Sequence, residues 1–278
     1  MPTLKEIKSR IKSINDTLKI TNAMYLISST KFRAVKSTLP AFNEYFEELE
    51  KNLGDIMAGI PENECRYLCE NSGPDGYLII ASDKGLCGDY NKSVLRFAEE
   101  TVKNNPGCRF FLIGEKAKRF FDKRNLEYDK SFIFDLGDTD ANTAGDIANW
   151  FFKEFSEEKL NKLTVIYKEL KNDLTSKVIT KQVLPLNSKP ASEGGTFEYY
   201  PTRQEVLESI MPVYSAAVFK SIMLTAFMCE QNARMTAMNS ACNNAKAMLE
   251  ELMLTYNRTR QNLITQEISE VSGGRKRQ

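Results

Sequence analysis

Starting at Leu4 and stepping alternately three and four residues, the chain places Leu4, Ile7, Ile11, Ile14, Leu18, Thr21, Tyr25, Ser28, Phe32, Val35, Leu39, Phe42, Phe46, Leu49, Leu53 and Ile56 on one line. Only Thr21 and Ser28 interrupt an apolar seam that outlasts the three or four heptads that identify a coiled coil. Thr3 and Glu6 form a capping box at its start, and Gly59 with Pro61 mark its end. Pro40 lies inside the seam and is expected to kink or break the helix. The same stepping works from Leu207 through Ile210, Tyr214, Ala217, Ser221, Leu224, Met228, Gln231, Met235, Met238, Cys242, Ala245, Leu249 and Leu252 to Tyr256. Thr202 and Glu205 supply a second capping box. An ordinary amphipathic core helix would account for either stripe alone. Two such stripes at opposite ends of one chain favour an antiparallel coiled coil.

Between the stripes the texture changes. Residues 76–82, 108–114, 131–136, 163–169 and 178–186 are short strand-like runs, and helical patterns near 91–104, 115–125 and 139–158 separate the first four. Strand alternating with helix implies a Rossmann-like α/β domain with a largely parallel sheet. Residues 187–195 form a polar linker. The expected organisation is a coiled-coil helix over 1–60, an inserted α/β domain over 70–195 and a second coiled-coil helix over 200–278. At about 1.5 Å per residue the helices would extend roughly 80 and 100 Å, so the second overhangs the first by about 14 residues, or about 20 Å. The overhang is "YNRTRQNLITQEISE", whose Leu263, Ile264 and Ile268, with Val271 beyond, have no helix of this chain to meet.

Several chemistries are excluded. The chain has no histidine, which removes His-based triads, HExxH metal sites and any imidazole proton shuttle. Cys65, Cys69, Cys87, Cys108, Cys229 and Cys242 contain no CxxC pair, and reduced thiols in a cytosolic compartment fit a chain of this size. No paired carboxylates or metal-ligand spacing stand out, so no catalytic residue, metal or cofactor is assigned. A net charge of +1 does not advertise nucleic acid. Residues 1–38 nevertheless hold eight Lys/Arg against Glu6 and Asp16, a basic block that could face an acidic partner or simply solvent. No signal peptide is visible, and no apolar run is expected to approach the roughly 20 residues that span a bilayer. Any contact with a membrane is therefore expected through partners.

Two stretches could carry contacts. "SDKGLCGDYN" (82–91) follows the first strand of the insert, where such folds often bind ligands, but it has neither GxxxxGK[ST] nor GxGxxG. Lys84, Gly85 and Gly88 in it are read more readily as a tight turn than as a nucleotide site. On the overhang, Arg258, Arg260, Gln261, Thr265 and Glu267 offer directional donors and acceptors on a rod, and arginine pairs well with carboxylates. A solvated helix end would explain the polar residues, but the apolar residues among them favour a surrounding sleeve.

Three segments in order, "LKEIKSRIKSINDTLKITNAM", "SDKGLCGDYN" and "YNRTRQNLITQEISE", resemble the gamma subunit of F-type ATP synthases from end to end. Asn22, Asp89 and Tyr200 stand where that family commonly has other residues. The resemblance implies a bacterial, non-catalytic central-stalk rotor at the cytoplasmic face of the membrane. Its partners would be three alpha and three beta subunits, an epsilon subunit and a membrane ring of c subunits. It also implies that Met24 passes acidic segments of beta, and that Arg260, Gln261, Thr265 and Glu267 touch beta. Lys84, Gly85 and Gly88 fall in the foot. On the residues alone, two alternatives stay open: a coiled-coil tether or scaffold with a globular head, and a nucleotide-binding α/β enzyme.

Overall fold

A computed structural model describes residues 3–61, 65–132, 134, 141–172, 175–186 and 198–274. Its elements in chain order are α1 (Leu4–Met57), β1 (Gly76–Ile80), α2 (Tyr90–Asn104), β2 (Arg109–Ile113), α3 (Glu115–Arg124), α4 (Ala141–Ser156), β3 (Leu163–Leu170), β4 (Ser176–Leu184) and α5 (Arg203–Gly274). The residues divide into two compact units. One is Met1–Ser29 with Arg234–Gln278, and the other is Thr30–Ala233. Both divisions fall within the long helices.

The capping box at Thr3 is made in both directions: Thr3 N donates to Glu6 Oε2 at 2.9 Å and Glu6 N to Thr3 Oγ1 at 3.3 Å. At the start of α5, Glu205 N donates to Thr202 Oγ1 at 3.3 Å. Contrary to the sequence expectation, α1 neither breaks nor ends at Pro40. An interior proline costs about 3 kcal/mol. The helix that contains it buries Val35, Phe46, Leu49, Leu53 and Ile56, each contributing about 1.5–3 kcal/mol, so packing outweighs the lost bond. The hydroxyls of Ser37 and Thr38 also donate to the carbonyls of Ala34 and Val35 just upstream.

In the larger unit the sheet has the order β2-β1-β3-β4. β1 pairs in parallel with both β2 and β3, whereas β4 is antiparallel to β3. The sheet is thus largely parallel, as expected, with one antiparallel edge strand. The physical reason is connection length: the few residues between Leu170 and Ser176 close a hairpin, while a parallel crossover needs a dozen or more. Asn172 Oδ1 fixes that turn by accepting from Thr175 N at 2.7 Å and Thr175 Oγ1 at 2.8 Å.

Strand alternation sorts the side chains. Ile79, Phe110, Leu112 and Ile166 face α2 and α3, burying Val94, Leu95, Ala98, Ala117 and Phe121. Leu78, Ile80, Phe111, Ile113, Val165 and Tyr167 belong to the main core with the second half of α1, α4 and α5. There Phe151 of α4 stacks on Phe219 of α5, with ring centroids 5.6 Å apart. Contacts of α1 residues Phe46 and Lys31 with Tyr214 and Phe227 of α5 show that the two helices run antiparallel in this unit.

The strand expected at 131–136 is not formed at Ser131, Phe132 or Phe134, and its other residues lie outside the described ones, as do all of residues 187–195. Phe132 instead packs edge-on to Phe111 and Trp150, because a flat aromatic run gains more from ring contacts in the core than from an edge ladder. The expectation about apolar runs also needs amending. α5 contains one helix segment, Arg203–Glu270, long and apolar enough by composition to cross a membrane. Its most apolar window is 61% buried inside the protein, which identifies it as a core helix.

Candidate functional site

In the smaller unit, Cys242 Sγ of α5 donates to Thr21 Oγ1 of α1 at 3.3 Å. Thr21 is one of the two polar interruptions of the first seam, and this thiol is its partner. Ile7 on α1 and Met238, Ala245 and Leu249 on α5 are buried. Seventeen residues from the Thr21–Cys242 contact along each antiparallel helix, Leu4 comes level with Thr259. Burial changes at the same place. Tyr256 and Thr259 are half-buried, and every residue from Arg260 to Glu270 is exposed. Among the described residues the overhang is therefore real, and it presents Leu263, Ile264 and Ile268 at 40%, 45% and 63% exposure.

The helical repeat orders this surface. Arg260, Ile264 and Glu267 fall close together on one side of α5, and Gln261, Thr265 and Ile268 on the adjoining side. Thr265 Oγ1 donates to Gln261 O at 2.9 Å, and Gln266 Nε2 to Glu270 Oε1 at 3.1 Å. Four of the site residues expected from the sequence thus lie together on one exposed arc. Met24 does not join them. It is half-buried on α1, level with Asn239 and about 30 Å along the helix from Arg260.

The loop after β1 belongs to the larger unit and is built differently. Ser82 N donates to Asn91 Oδ1 at 3.0 Å, and Asn91 Nδ2 donates to Ser82 Oγ at 2.7 Å and to Cys87 Sγ at 3.1 Å. Ser82 Oγ donates to Lys84 O at 2.7 Å. Leu86 and Gly88 take positive φ of 65° and 56°, which closes the turn. Lys84 and Gly88 are exposed and Gly85 is half-buried. Asp83 Oδ1 accepts from Glu115 N at 3.1 Å, so a carboxylate of the chain already occupies the amino end of α3 where a phosphate would bind. Beside it, Gly114 at φ +97° lets the two loops meet: a Cβ there would lie 2.2 Å from Ala81 O. Among the described residues no group of His, Cys, Asp and Glu could hold a metal ion.

Sequence reasoning missed how this loop is anchored to the elements around it. Tyr90 is fully buried and its hydroxyl donates to Ala226 O of α5 at 3.3 Å. Cys87 and Cys229 pack in one buried cluster with Tyr90. Burial pushes the Cys229 thiol up to about 11, against a smaller opposing pull from Lys168, so it stays protonated and unreactive. Lys168 of β3 is buried and its Nζ reaches Ser93 Oγ at 2.8 Å and Asp89 Oδ2 at 3.4 Å. The available signal was a lysine inside the apolar run of a strand. None of the six cysteines is in a disulfide.

The comparisons with known proteins bear on the whole chain. The family model described as ATP synthase matches residues 3–276. An ATP synthase gamma chain of Caldanaerobacter subterraneus is 34% identical over 291 residues, covering 97% of this chain and 98% of the relative. One of Staphylococcus epidermidis is 34% identical over 283 residues, covering 99% and 98%. The fold is similar to a chain of the Euglena gracilis mitochondrial ATP synthase OSCP/F1/c-ring structure, with TM-score 0.68 and 15% identity over 98% of this chain and 93% of the other. A chain of the Tetrahymena thermophila mitochondrial ATP synthase central stalk and c-ring structure gives TM-score 0.57 and 20% identity over 80% and 99%. With the α/β unit, the paired helices and the overhang all inside a match that runs over almost the full length of the chain, the chain belongs to the ATP synthase family, among its gamma chains.

Proposed function

We propose that the chain is the central-stalk rotor of a rotary ATP synthase and carries no active site of its own. Ion flow through a ring of c subunits turns it, and its asymmetric surface meets three beta subunits unequally. A contact that differs between conformations of beta biases each catalytic site toward one of them, which is all a non-catalytic shaft needs to do. On this reading residues 1–60 and 200–278 act as the shaft and 70–195 as the foot that meets epsilon and the c ring. The complex is membrane-associated, with this subunit peripheral at the cytoplasmic face of a bacterial membrane.

The observation that carries the proposal is the overhang. Leu263, Ile264 and Ile268 stand exposed on a helix end with Arg260, Gln261, Thr265 and Glu267 beside them. Exposed apolar residues among directional polar groups suit a close-fitting collar that both excludes water and pairs the polar groups. The arc around Arg260 and Gln261 would meet beta at the collar, and Met24 would meet it further along the shaft. Reconstitution tests this. One copy of the chain should assemble with three alpha and three beta subunits and support ATP-driven ion pumping when the c ring is present. A tether or a nucleotide-binding enzyme would show neither, and failure of stoichiometric assembly would overturn the reading.

A further inference from the structure

A rotor has to carry load from its foot to its shaft, and the larger unit shows two kinds of contact between the sheet and α5. One is broad and apolar: Phe219, Ile222, Met223 and Ala226 pack with Leu78, Ile80, Phe111 and Phe151 in the main core. Such a face resists separation well. It fixes direction only through the shapes that interdigitate there, because dispersion itself is weakly directional. The other contact is the loop 82–91, which meets α5 through Tyr90 and Cys87.

Three features make this second contact directional. The Tyr90 hydroxyl donates to the backbone carbonyl of Ala226, so its partner cannot change rotamer. The ring is wholly buried beside Cys87 and Cys229, with Leu170 and Ala233 packed against the same cluster. The loop behind Tyr90 is held in place by Ser82, Asn91 and Cys87, and by Lys168, whose side chain is 8% exposed and reaches Asp89 and Ser93. The place at the carboxyl end of β1 where α/β folds usually take a ligand is thereby occupied by a brace.

Resting on the rotor reading above, we propose that loop 82–91 is a mechanical clamp that fixes the α/β unit to α5, with Tyr90 as the positioning residue that transmits torque. Tyr90 touches no substrate and acts through α5. The clamp matters in proportion to load. Without a gradient to work against, the apolar contact alone keeps foot and shaft together. Against a large ion gradient, a rotor without the pin yields, and ATP is hydrolysed without full delivery of ions.

The experiment uses the complete complex in sealed vesicles and measures ions pumped per ATP hydrolysed as the opposing gradient is raised. Tyr90→Phe keeps the ring and removes only the hydroxyl, so folding and assembly should be retained. Its pumping ratio should equal that of the unaltered complex at zero gradient and fall about two-fold near the highest gradient. Tyr90→Ala should fall several-fold at lower gradients. A merely structural role would lower assembly or hydrolysis at all gradients alike and leave the ratio unchanged. Superposition of the Tyr90→Phe ratio on that of the unaltered complex at every gradient would overturn the clamp. An unaltered complex that assembles but fails to pump would instead overturn the rotor reading, and the two failures are therefore distinct.

Discussion

The helix tip at Arg260–Glu270 and the loop at Ser82–Asn91 are similar in composition, each mixing apolar side chains with amides, hydroxyls and charges. They are opposite in structure. In the loop, Ser82, Cys87 and Tyr90 are buried, and the polar groups of Ser82, Asn91 and Tyr90 bond within the chain. On the tip every residue is exposed, and the side-chain bonds formed, such as Thr265 to Gln261, stay within one helix. A polar motif whose groups are satisfied internally is a structural part of the molecule. One whose groups and apolar neighbours both face outward has the make-up of an unfilled half of an interface, the role proposed for the tip.

Core truncation should separate the two regions most strongly. Phe219→Ala removes a fully buried ring stacked on Phe151 and is expected to destabilise the free chain by about 3–5 kcal/mol, read by denaturant unfolding. A loss below about 1 kcal/mol would mean that the apolar face does not hold the larger unit together.

Next in size is a change that should be silent in the free chain and costly in the complex. Arg260→Ala with Gln261→Ala should alter free-chain stability by no more than about 0.5 kcal/mol, since both residues are exposed. In the assembled enzyme the same change is expected to cost about 2–5 kcal/mol of interface energy and to lower ATP turnover. Thermal melting of the subunit beside hydrolysis by the complex would decide. A large drop in melting temperature with normal hydrolysis would place the tip against its own chain.

Acid should weaken the larger unit through one paired carboxylate, Asp129. Burial by itself would raise the Asp129 carboxyl, but hydrogen bonds from Ser131 and Arg109 outweigh it and hold the group below its ordinary value. A carboxylate depressed in the folded state contributes stability that is present above its unfolded pKa of about 3.9 and is lost as pH falls through the lower folded value. Unfolding measured from pH 6 downward should show this loss below about pH 4, and Asp129→Asn should lower stability at neutral pH while flattening that part of the curve. An unchanged slope in the variant would show that Asp129 is not the responsive group.

The smallest expected effect is Thr265→Val, which removes one exposed hydroxyl bond to Gln261 O. It should shift free-chain stability by no more than about 0.5 kcal/mol, with helicity checked by circular dichroism. A larger loss would mean that the tip depends on this bond to remain helical.

The amino-acid sequence by itself determined the elements whose signal repeats along the chain. Heptad spacing located α1 and α5, capping residues placed their starts at Thr3 and Thr202, and alternation of strand and helix gave the α/β unit. These follow from local periodicity, which needs no knowledge of distant residues. It also located the overhang, because two helix lengths and an antiparallel arrangement suffice to show that one outlasts the other. Tertiary structure decided the rest. Pro40 stays within a continuous helix because residues remote in sequence pack on both sides of it. β4 turns antiparallel because its connection is short, and Phe132 leaves the sheet for an aromatic core. The Thr21–Cys242 bond joins two seam positions more than two hundred residues apart, and Tyr90 finds its acceptor on a helix that begins far downstream. Such contacts depend on which surfaces meet, and a local pattern does not encode the identity of the surface it will meet.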